Sequence, residues 1–321
     1  MRLLRCLPFL LPFSTALAQS DPGALQWLQR VYSATQKLSY TGTFLYQQGQ
    51  TSETSRITRI IDATGAHERL ETLEGVRREI IRKNDEVVCY LPATMTVRVD
   101  KHPGGSILPA AVPGHPKDLG DHYIVRKGDI ERVAGYDCQV VLLEPKDNLR
   151  YGHRLWVDLN TGMLLKAQTL GERGEELERF VFTDLQIGGY IDRDKVKSRF
   201  SRKGKDWRIE DSAGIQANLS EAGWSIKAAP AGFRKVSEMT RTLGGASGVG
   251  HIVLSDGLAA VSVFIESSAG RQAGSQPGLV RQGAINVYMR PIGSHWITVV
   301  GETPAESVRF IANAVEYRKP Q

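Results

Sequence analysis

The chain has 321 residues, 41% of them hydrophobic, with 41 Lys and Arg against 35 Asp and Glu. That length suffices for two domains with cores of their own. A formal charge of +6 is basic but unexceptional and does not by itself indicate nucleic acid.

The first elements in the chain read as an export signal. Arg2 and Arg5 flank a short apolar run that ends in Ala16-Leu17-Ala18, the three parts of a secretory signal peptide. The run is too short to cross a hydrocarbon layer about 30 Å thick as a helix, and no second apolar run approaches that length. Cys6 lies near the start of the run, where a lipoprotein acylation site is not expected. Cleavage after Ala18 leaves 303 residues, +4 after loss of Arg2 and Arg5, destined for the periplasm or the outside of the cell. That placement removes DNA, nucleotides and cytosolic cofactors from the expected partners. The basic surplus then points to an anionic lipid headgroup, lipopolysaccharide phosphate or an acidic polypeptide. An oxidising compartment allows a disulfide between the remaining Cys89 and Cys138; two buried strand cysteines that never meet are the equal alternative.

Ser20-Asp21-Pro22 is a helix start, followed by Leu25, Leu28, Val31, Tyr32, Thr35 and Leu38 at helical spacing. Short strands come next: Tyr40 to Gln47, Arg56 to Ile61, Arg77 to Arg82 and Glu86 to Leu91, spaced as in an antiparallel meander. Between Pro92 and Asp121, Pro103-Gly104-Gly105 and Pro113-Gly114-His115-Pro116 break regular structure; this stretch is either an ordinary excursion or a cover over the mouth of what the sheet encloses. Strands resume at Tyr136 to Leu143, Gly152 to Leu159, Met163 to Leu170 and Glu178 to Gln186, with Asn160-Thr161-Gly162 as a hairpin turn. Residues 193 to 208 carry eight basic residues against Asp194 and Asp206. This is a linker or twisted edge, read either as a solvated face or as a docking surface for a negative partner.

The last hundred residues form a smaller unit. Strands are expected at Trp224 to Lys227, His251 to Leu254, Leu258 to Glu266, Ala284 to Arg290 and His295 to Val300, with flexible connections at Gly244 to Gly250 and Ala269 to Gly278. Thr303-Pro304-Ala305-Glu306 reads as a capping box before a helix with Val308, Ile311, Ala312 and Val315 on one stripe.

Catalytic chemistry finds little support. There is no zinc-type histidine pair on a helix, no P-loop and no nucleophile elbow. His102, His115 and His122 share one loop with nothing to orient them as ligands. Ser255, Asp256 and His251 match a serine triad by residue type only, and Asp256-Gly257 is more simply a turn. No catalytic residue, metal or cofactor is therefore assigned. A curved sheet with one helix does leave a concavity suited to a small hydrophobic ligand. Phe44, Tyr46, Val88, Tyr90 and Trp156 are the candidates for its lining, with core packing as the competing role of each.

The ordered series of motifs resembles a known family. Tyr40-Thr41-Gly42-Thr43-Phe44 is followed by Arg77-Arg78-Glu79-Ile80-Ile81-Arg82, then by Asn84-Asp85-Glu86-Val87-Val88-Cys89-Tyr90-Leu91-Pro92 and Arg150-Tyr151-Gly152-His153-Arg154-Leu155-Trp156-Val157-Asp158. The second unit adds Ala229-Pro230-Ala231-Gly232-Phe233, the run from Leu254 to Glu266, and Val299-Val300-Gly301-Glu302-Thr303-Pro304. Across the whole mature chain this is similar to the RseB/MucB family, periplasmic negative regulators of the envelope-stress sigma factor. Arg59 and Ala66 depart from it, standing where a histidine and an acidic residue are expected.

The resemblance implies an α+β protein: a large antiparallel half-barrel with helical cover, similar to lipoprotein carriers, and a smaller antiparallel sheet with a terminal helix. The expected division is signal peptide 1–18, lipid-sensing domain 19–191, basic linker 192–214 and anti-sigma-binding domain 215–321. The implied partners are the periplasmic domain of an RseA/MucA-type anti-sigma factor, which binding would shield from proteolysis, and a lipid or lipopolysaccharide that releases it. A homo-oligomer is compatible with the sequence, and a lipid or lipoprotein carrier without a regulatory partner is the alternative function. Arg77, Arg78 and Arg82 are the candidates for an anionic headgroup. Phe233, Ala259, Val261 and Val263 are those for the partner.

Overall fold

Asp21 sets the first helix. Its carboxylate accepts from the Gly23 amide at 2.8 Å, and Pro22 fills the first helical position of α1 (Pro22–Lys37), where no amide is needed. The computed structural model describes residues 20–101, 107–108, 118–200, 206–211, 213–270 and 276–319; the expected signal peptide lies outside them. Six strands follow α1: β1 (Tyr40–Gln48), β2 (Thr51–Asp62), β3 (Gly65–Glu74), β4 (Glu79–Lys83), β5 (Glu86–Leu91) and β6 (Thr96–Lys101). After the single turn α2 (Leu119–His122) come β7 (Tyr123–Val133), β8 (Tyr136–Pro145), β9 (Gly152–Asp158), β10 (Leu164–Leu170), β11 (Glu176–Ile187) and β12 (Arg208–Asp211).

These strands form one 12-stranded sheet in the order β12-β6-β5-β4-β3-β2-β1-β11-β10-β9-β8-β7, with β12 parallel to β6 and the other pairs antiparallel. The sheet curves without closing into a barrel. Helix α1 lies on its inner face, where Ala24, Leu28 and Val31 pack with Val141, Leu143, Leu155 and Val157; burial of a side chain the size of Leu28 contributes about 1.5–3 kcal/mol. Gly162, at φ +77°, closes the β9–β10 turn against α1, and a Cβ there would stand 3.0 Å from the Arg30 carbonyl oxygen.

The second domain contains β13 (Ile215–Gln216), β14 (Trp224–Ile226), β15 (Arg234–Leu243), β16 (Ala246–Ser255), β17 (Ala260–Ser267), β18 (Gly278–Gln282), β19 (Ile285–Ile292), β20 (His295–Gly301), α3 (Ala305–Ala314) and β21 (Val315–Tyr317). Seven of these strands form a sheet ordered β13-β15-β16-β17-β20-β19-β18, and β14 pairs with β21. Val308, Ile311 and Ala312 of α3 pack with Val261, Val263 and Val299 from one face of that sheet.

Several expectations are corrected. β3, β6, β7 and β15 were not anticipated, and β6 falls inside the stretch expected to be irregular. The segment from Gly244 to Gly250 is not a loose connection: only the Gly244-Gly245 turn joins β15 to β16, which already begins at Ala246. Thr303 does not cap α3. Pro304 holds the N-cap position without a side-chain bond, and Thr303 is buried with its carbonyl accepting from Asn286 Nδ2 at 2.8 Å.

Candidate functional site

Alternation along the strands sorts the candidate residues between two faces of the large sheet. Tyr46 pairs with Phe180, Phe180 with Ala167 and Ala167 with Leu155, so these four side chains cross the inner face in one row. Opposite them the second domain presents Leu258, Ala260, Ile285 and Val300, and the two sets enclose a cavity of about 440 Å³. Its size falls within the roughly 300–1,000 Å³ of small-molecule sites. The polar groups in its wall include His153, Glu178, Ser262 and Glu302.

The electrostatics of this cavity follow from poor solvation. The Tyr46 hydroxyl donates to Glu178, and its own ionisation is pushed up by burial and then by that bond. Burial also raises Glu178 above the usual carboxylate range. Glu302, which keeps part of its surface exposed, is pushed up to about 7 by desolvation at the cavity and second by repulsion from Glu178. Burial lowers His153 to about 4, which keeps it neutral at pH 7.

Of the five expected lining residues, Tyr46 reaches the cavity. Phe44 sits in the core with its ring 5.0 Å from that of Phe180. Trp156 alternates with Leu155 and points the other way, donating to Glu131 at 2.7 Å under the Lys166 ammonium. Val88 and Tyr90 are corrected to the outer face, where Tyr90 packs with Phe200 and Trp207 at ring distances of 5.6 and 5.8 Å.

The headgroup candidates separate in the same way. Arg77 is exposed on the outer face, with its guanidinium 5.5 Å from the Phe200 ring centroid. Arg78 bonds Glu53 at 2.8 Å. Arg82 is buried; its Nε donates to the Asn84 carbonyl at 2.6 Å, so it offers no free headgroup contact. On the inner face Arg59 forms a buried ion pair with Glu68, which also accepts from the Ile107 amide at 2.9 Å. Leu108 beside it lines the cavity, so residues 107–108 of the long proline-rich stretch reach the concavity.

The partner candidates are corrected to interior roles. Ala259, Val261 and Val263 belong to the second domain's core. Phe233 is buried with the Arg150 guanidinium 5.5 Å above its ring. The opposite parity of β17, Ala260 and Ser262, faces the large domain. Cys89 and Cys138 are free thiols, on strands with seven others between them in the sheet; burial pushes Cys138 up to about 12.

No triad forms from Ser255, Asp256 and His251. Ser255 Oγ donates to the Ala259 carbonyl at 2.8 Å, and His251 Nε2 lies 3.0 Å from Ser262 Oγ. Asp256 instead clamps the domains, bonding Arg150 at 2.8 Å. Arg150 Nη2 also donates to the Ala231 carbonyl at 2.6 Å, and Asn286 Nδ2 donates to the Tyr151 hydroxyl at 2.9 Å.

The basic stretch is largely internal in its pairings. Arg193 meets Asp62, Arg199 lies 3.5 Å from Glu71 and Arg208 lies 2.8 Å from Glu210. Buried Glu79 accepts from Ser198 Oγ at 3.1 Å and the Arg199 amide at 3.2 Å, which ties the stretch to β4. Arg202, Lys203 and Lys205 lie outside the described residues, as do His102 and His115. Among the described residues no group is arranged to hold a metal ion, and no helix is long and apolar enough to cross a membrane.

Sequence reasoning missed Glu178, Glu302, His153 and Arg150. Glu178 was detectable, because it alternates with Phe180 and Phe182 on one face of β11. Glu302 carries no local signal, since its role depends on how the second domain docks.

Comparison with known proteins matches both domains. Residues 23–200 fit the family model of the MucB/RseB N-terminal domain, and residues 218–316 that of the MucB/RseB C-terminal domain. The sigma factor AlgU regulatory protein MucB of Pseudomonas aeruginosa is 30% identical over 298 residues, covering 91% of this chain and 90% of that protein. The sigma-E factor regulatory protein RseB of Salmonella typhimurium is 26% identical, covering 96% and 95%. The crystal structure of MucB in complex with MucA(peri) superposes with a TM-score of 0.70 at 27% identity, over 92% of this chain and 99% of that one.

Proposed function

The chain belongs to the MucB/RseB family, and from that premise we propose that it is a periplasmic negative regulator of an envelope-stress sigma factor. In this role it binds the periplasmic region of a membrane anti-sigma factor, shields it from regulated proteolysis, and releases it when lipid or lipopolysaccharide occupies the protein. The observation that carries the proposal is the extent of the likeness to MucB in complex with MucA(peri), which covers 92% of this chain and 99% of that one. The cavity supports a lipid-responsive step. A ligand that binds only the free form lowers the population left for the partner, and each weakens the other by the same factor. Arg78, whose charge acts on Tyr46 of the cavity wall, is the nearer headgroup candidate although Glu53 holds it at 2.8 Å, while Arg77 lies on the outer face. The partner surface is assigned to the face shared by the domains rather than to the buried side of β17.

A titration of the mature protein with the anti-sigma periplasmic segment tests this, with and without lipopolysaccharide or a long-chain phospholipid. Tight binding that lipid abolishes is the expected result. Lipid binding with no affinity for the segment would move the chain to the carrier class.

A further inference from the structure

We propose that Ser262 is a hydrogen-bond donor with which the interdomain cavity selects lipids whose chain is joined through a carbonyl, as an ester or amide, over ether-linked ones. The proposal deepens the lipid-responsive reading above and rests on it for its biological use. Leu155, Ala167 and Phe180 on one wall face Leu258, Ala260 and Val300 on the other. Ser262 stands in the second of these walls, paired with Val300 across β17 and β20 and two residues along β17 from Ala260. Its hydroxyl is therefore a polar point set in an apolar surface.

The state of that hydroxyl follows from the residues behind it. His251 is buried, and its ring lies 4.4 Å from that of Phe264 and nearly parallel to it, at 16°, which fixes the plane of the imidazole. His251 Nδ1 is 3.3 Å from Arg241 Nη1, and Arg241 Nη2 donates to Asp100 Oδ2 at 2.8 Å. A guanidinium carries donors only, so Nδ1 must accept and the imidazole proton resides on Nε2. Nε2 lies 3.0 Å from Ser262 Oγ and donates to it, so the serine keeps its own hydrogen for another acceptor. Tyr46 on the facing wall already gives its hydrogen to Glu178. A hydroxyl that accepts from a ring nitrogen is polarised into a better donor. A carbonyl oxygen drawn into the cavity with an acyl chain meets that donor, whereas an ether oxygen is a poorer acceptor and leaves it largely unsatisfied.

The test is calorimetric titration of the mature chain with decanoyl lysophosphatidylglycerol and its O-decyl ether analogue, which share headgroup, phosphate and chain length, below their micelle concentrations. The ester should bind about three- to ten-fold tighter than the ether, the worth of one neutral hydrogen bond. Ser262→Ala, its folding checked by circular dichroism, should remove that preference by weakening the ester alone. Ser262→Thr, which keeps a hydroxyl, should retain it. The infrared band of the bound ester carbonyl, isotope-labelled to separate it from the protein, should lie at lower frequency in the natural chain than in Ser262→Ala. Ala260→Trp should weaken both lipids by filling the cavity. Equal affinities in the natural chain would overturn the proposal. So would a preference that survives Ser262→Ala, a carbonyl band at the same frequency in both proteins, or ester binding undiminished by Ala260→Trp. Binding of neither lipid would remove the lipid-responsive step along with this proposal, whereas equal affinities would leave that step standing.

Discussion

Arg150 and Asp256 meet across the domain boundary with Nη1 2.8 Å from Oδ2, and neither side chain reaches solvent. Asp147 and the Ala231 carbonyl also hold the guanidinium, while the Leu258 and Ala259 amides donate to Asp256. Asp256→Ala would leave a buried cation short of its partner, at a cost of about 3–5 kcal/mol in urea unfolding. Replacing both residues with hydrophobic ones, as Arg150→Met with Asp256→Leu, should cost less than the single change. A single-variant loss below about 1 kcal/mol would mean that Asp147 alone neutralises the arginine.

Acid dependence should come from cavity groups acting in opposite directions: Glu302, with Glu178 raised beside it by burial, against His153. Glu302 holds its proton up to about 7 in the folded chain but only to an ordinary 4.5 when unfolded, so its contribution weakens stability as pH rises between those values. His153 titrates at about 4 folded against 6.5 unfolded, so its contribution strengthens stability as pH rises from 4 to 6.5. Where the windows overlap, the two partly cancel. Urea midpoints measured across that range should decline with pH more steeply in His153→Gln than in the natural protein, and rise with pH when Glu178→Gln and Glu302→Gln are combined. Unchanged profiles in both variants would show that neither group titrates differently in the two states.

Neighbouring residues of β17 should separate folding from recognition. Val263 is in the core, so Val263→Ala should cost about 1–3 kcal/mol of stability and alter anti-sigma binding only through the folded fraction. Phe264 points to the other side, its ring stacked 4.4 Å from that of His251. Phe264→Ala should weaken segment binding at least about five-fold with the protein still folded. The reverse pattern would return the partner surface to the buried face.

Glu79 should control the connector between the domains. It pairs with Arg69 at 2.5 Å as well as holding Ser198 and Arg199. Glu79→Ala is expected to cost about 1–3 kcal/mol, because Arg69 keeps Glu71 at 2.7 Å, and to speed amide exchange at residues 198–200 beyond the global change. Exchange there no faster than in the rest of the sheet would show that the aromatic contacts at Phe200 hold the connector alone.

Local chemistry made the frame legible, and tertiary pairing hid the rest. Asp21-Pro22 fixes a helix start, and β1 and β5 alternate clearly enough to be seen. β3 escaped because Glu68 and Arg69, adjacent and both buried, satisfy their charges on opposite faces, Glu68 with Arg59 and Arg69 with Glu79. No apolar alternation survives such an arrangement. The same blindness to face put Val88 and Tyr90 beside Tyr46: strand parity is visible within one strand, but strand order and curvature relate it to the next. Apolar content likewise marked Val261 and Val263 without showing that α3 already covers them.

The pairing of β12 with β6 gives the connector a protective duty. A sheet edge presents unpaired amides and carbonyls that can template aggregation, and here the chain leaving the first domain returns to run along that edge from Arg208 to Asp211 before entering the second. A first domain cut at Ile191 would therefore lose a guard strand as well as a tether, exposing Thr96 to Val99 for pairing with another molecule. Proteolysis within the connector would then open a route to edge-to-edge association, so the segment's integrity bears on solubility as much as on communication between domains.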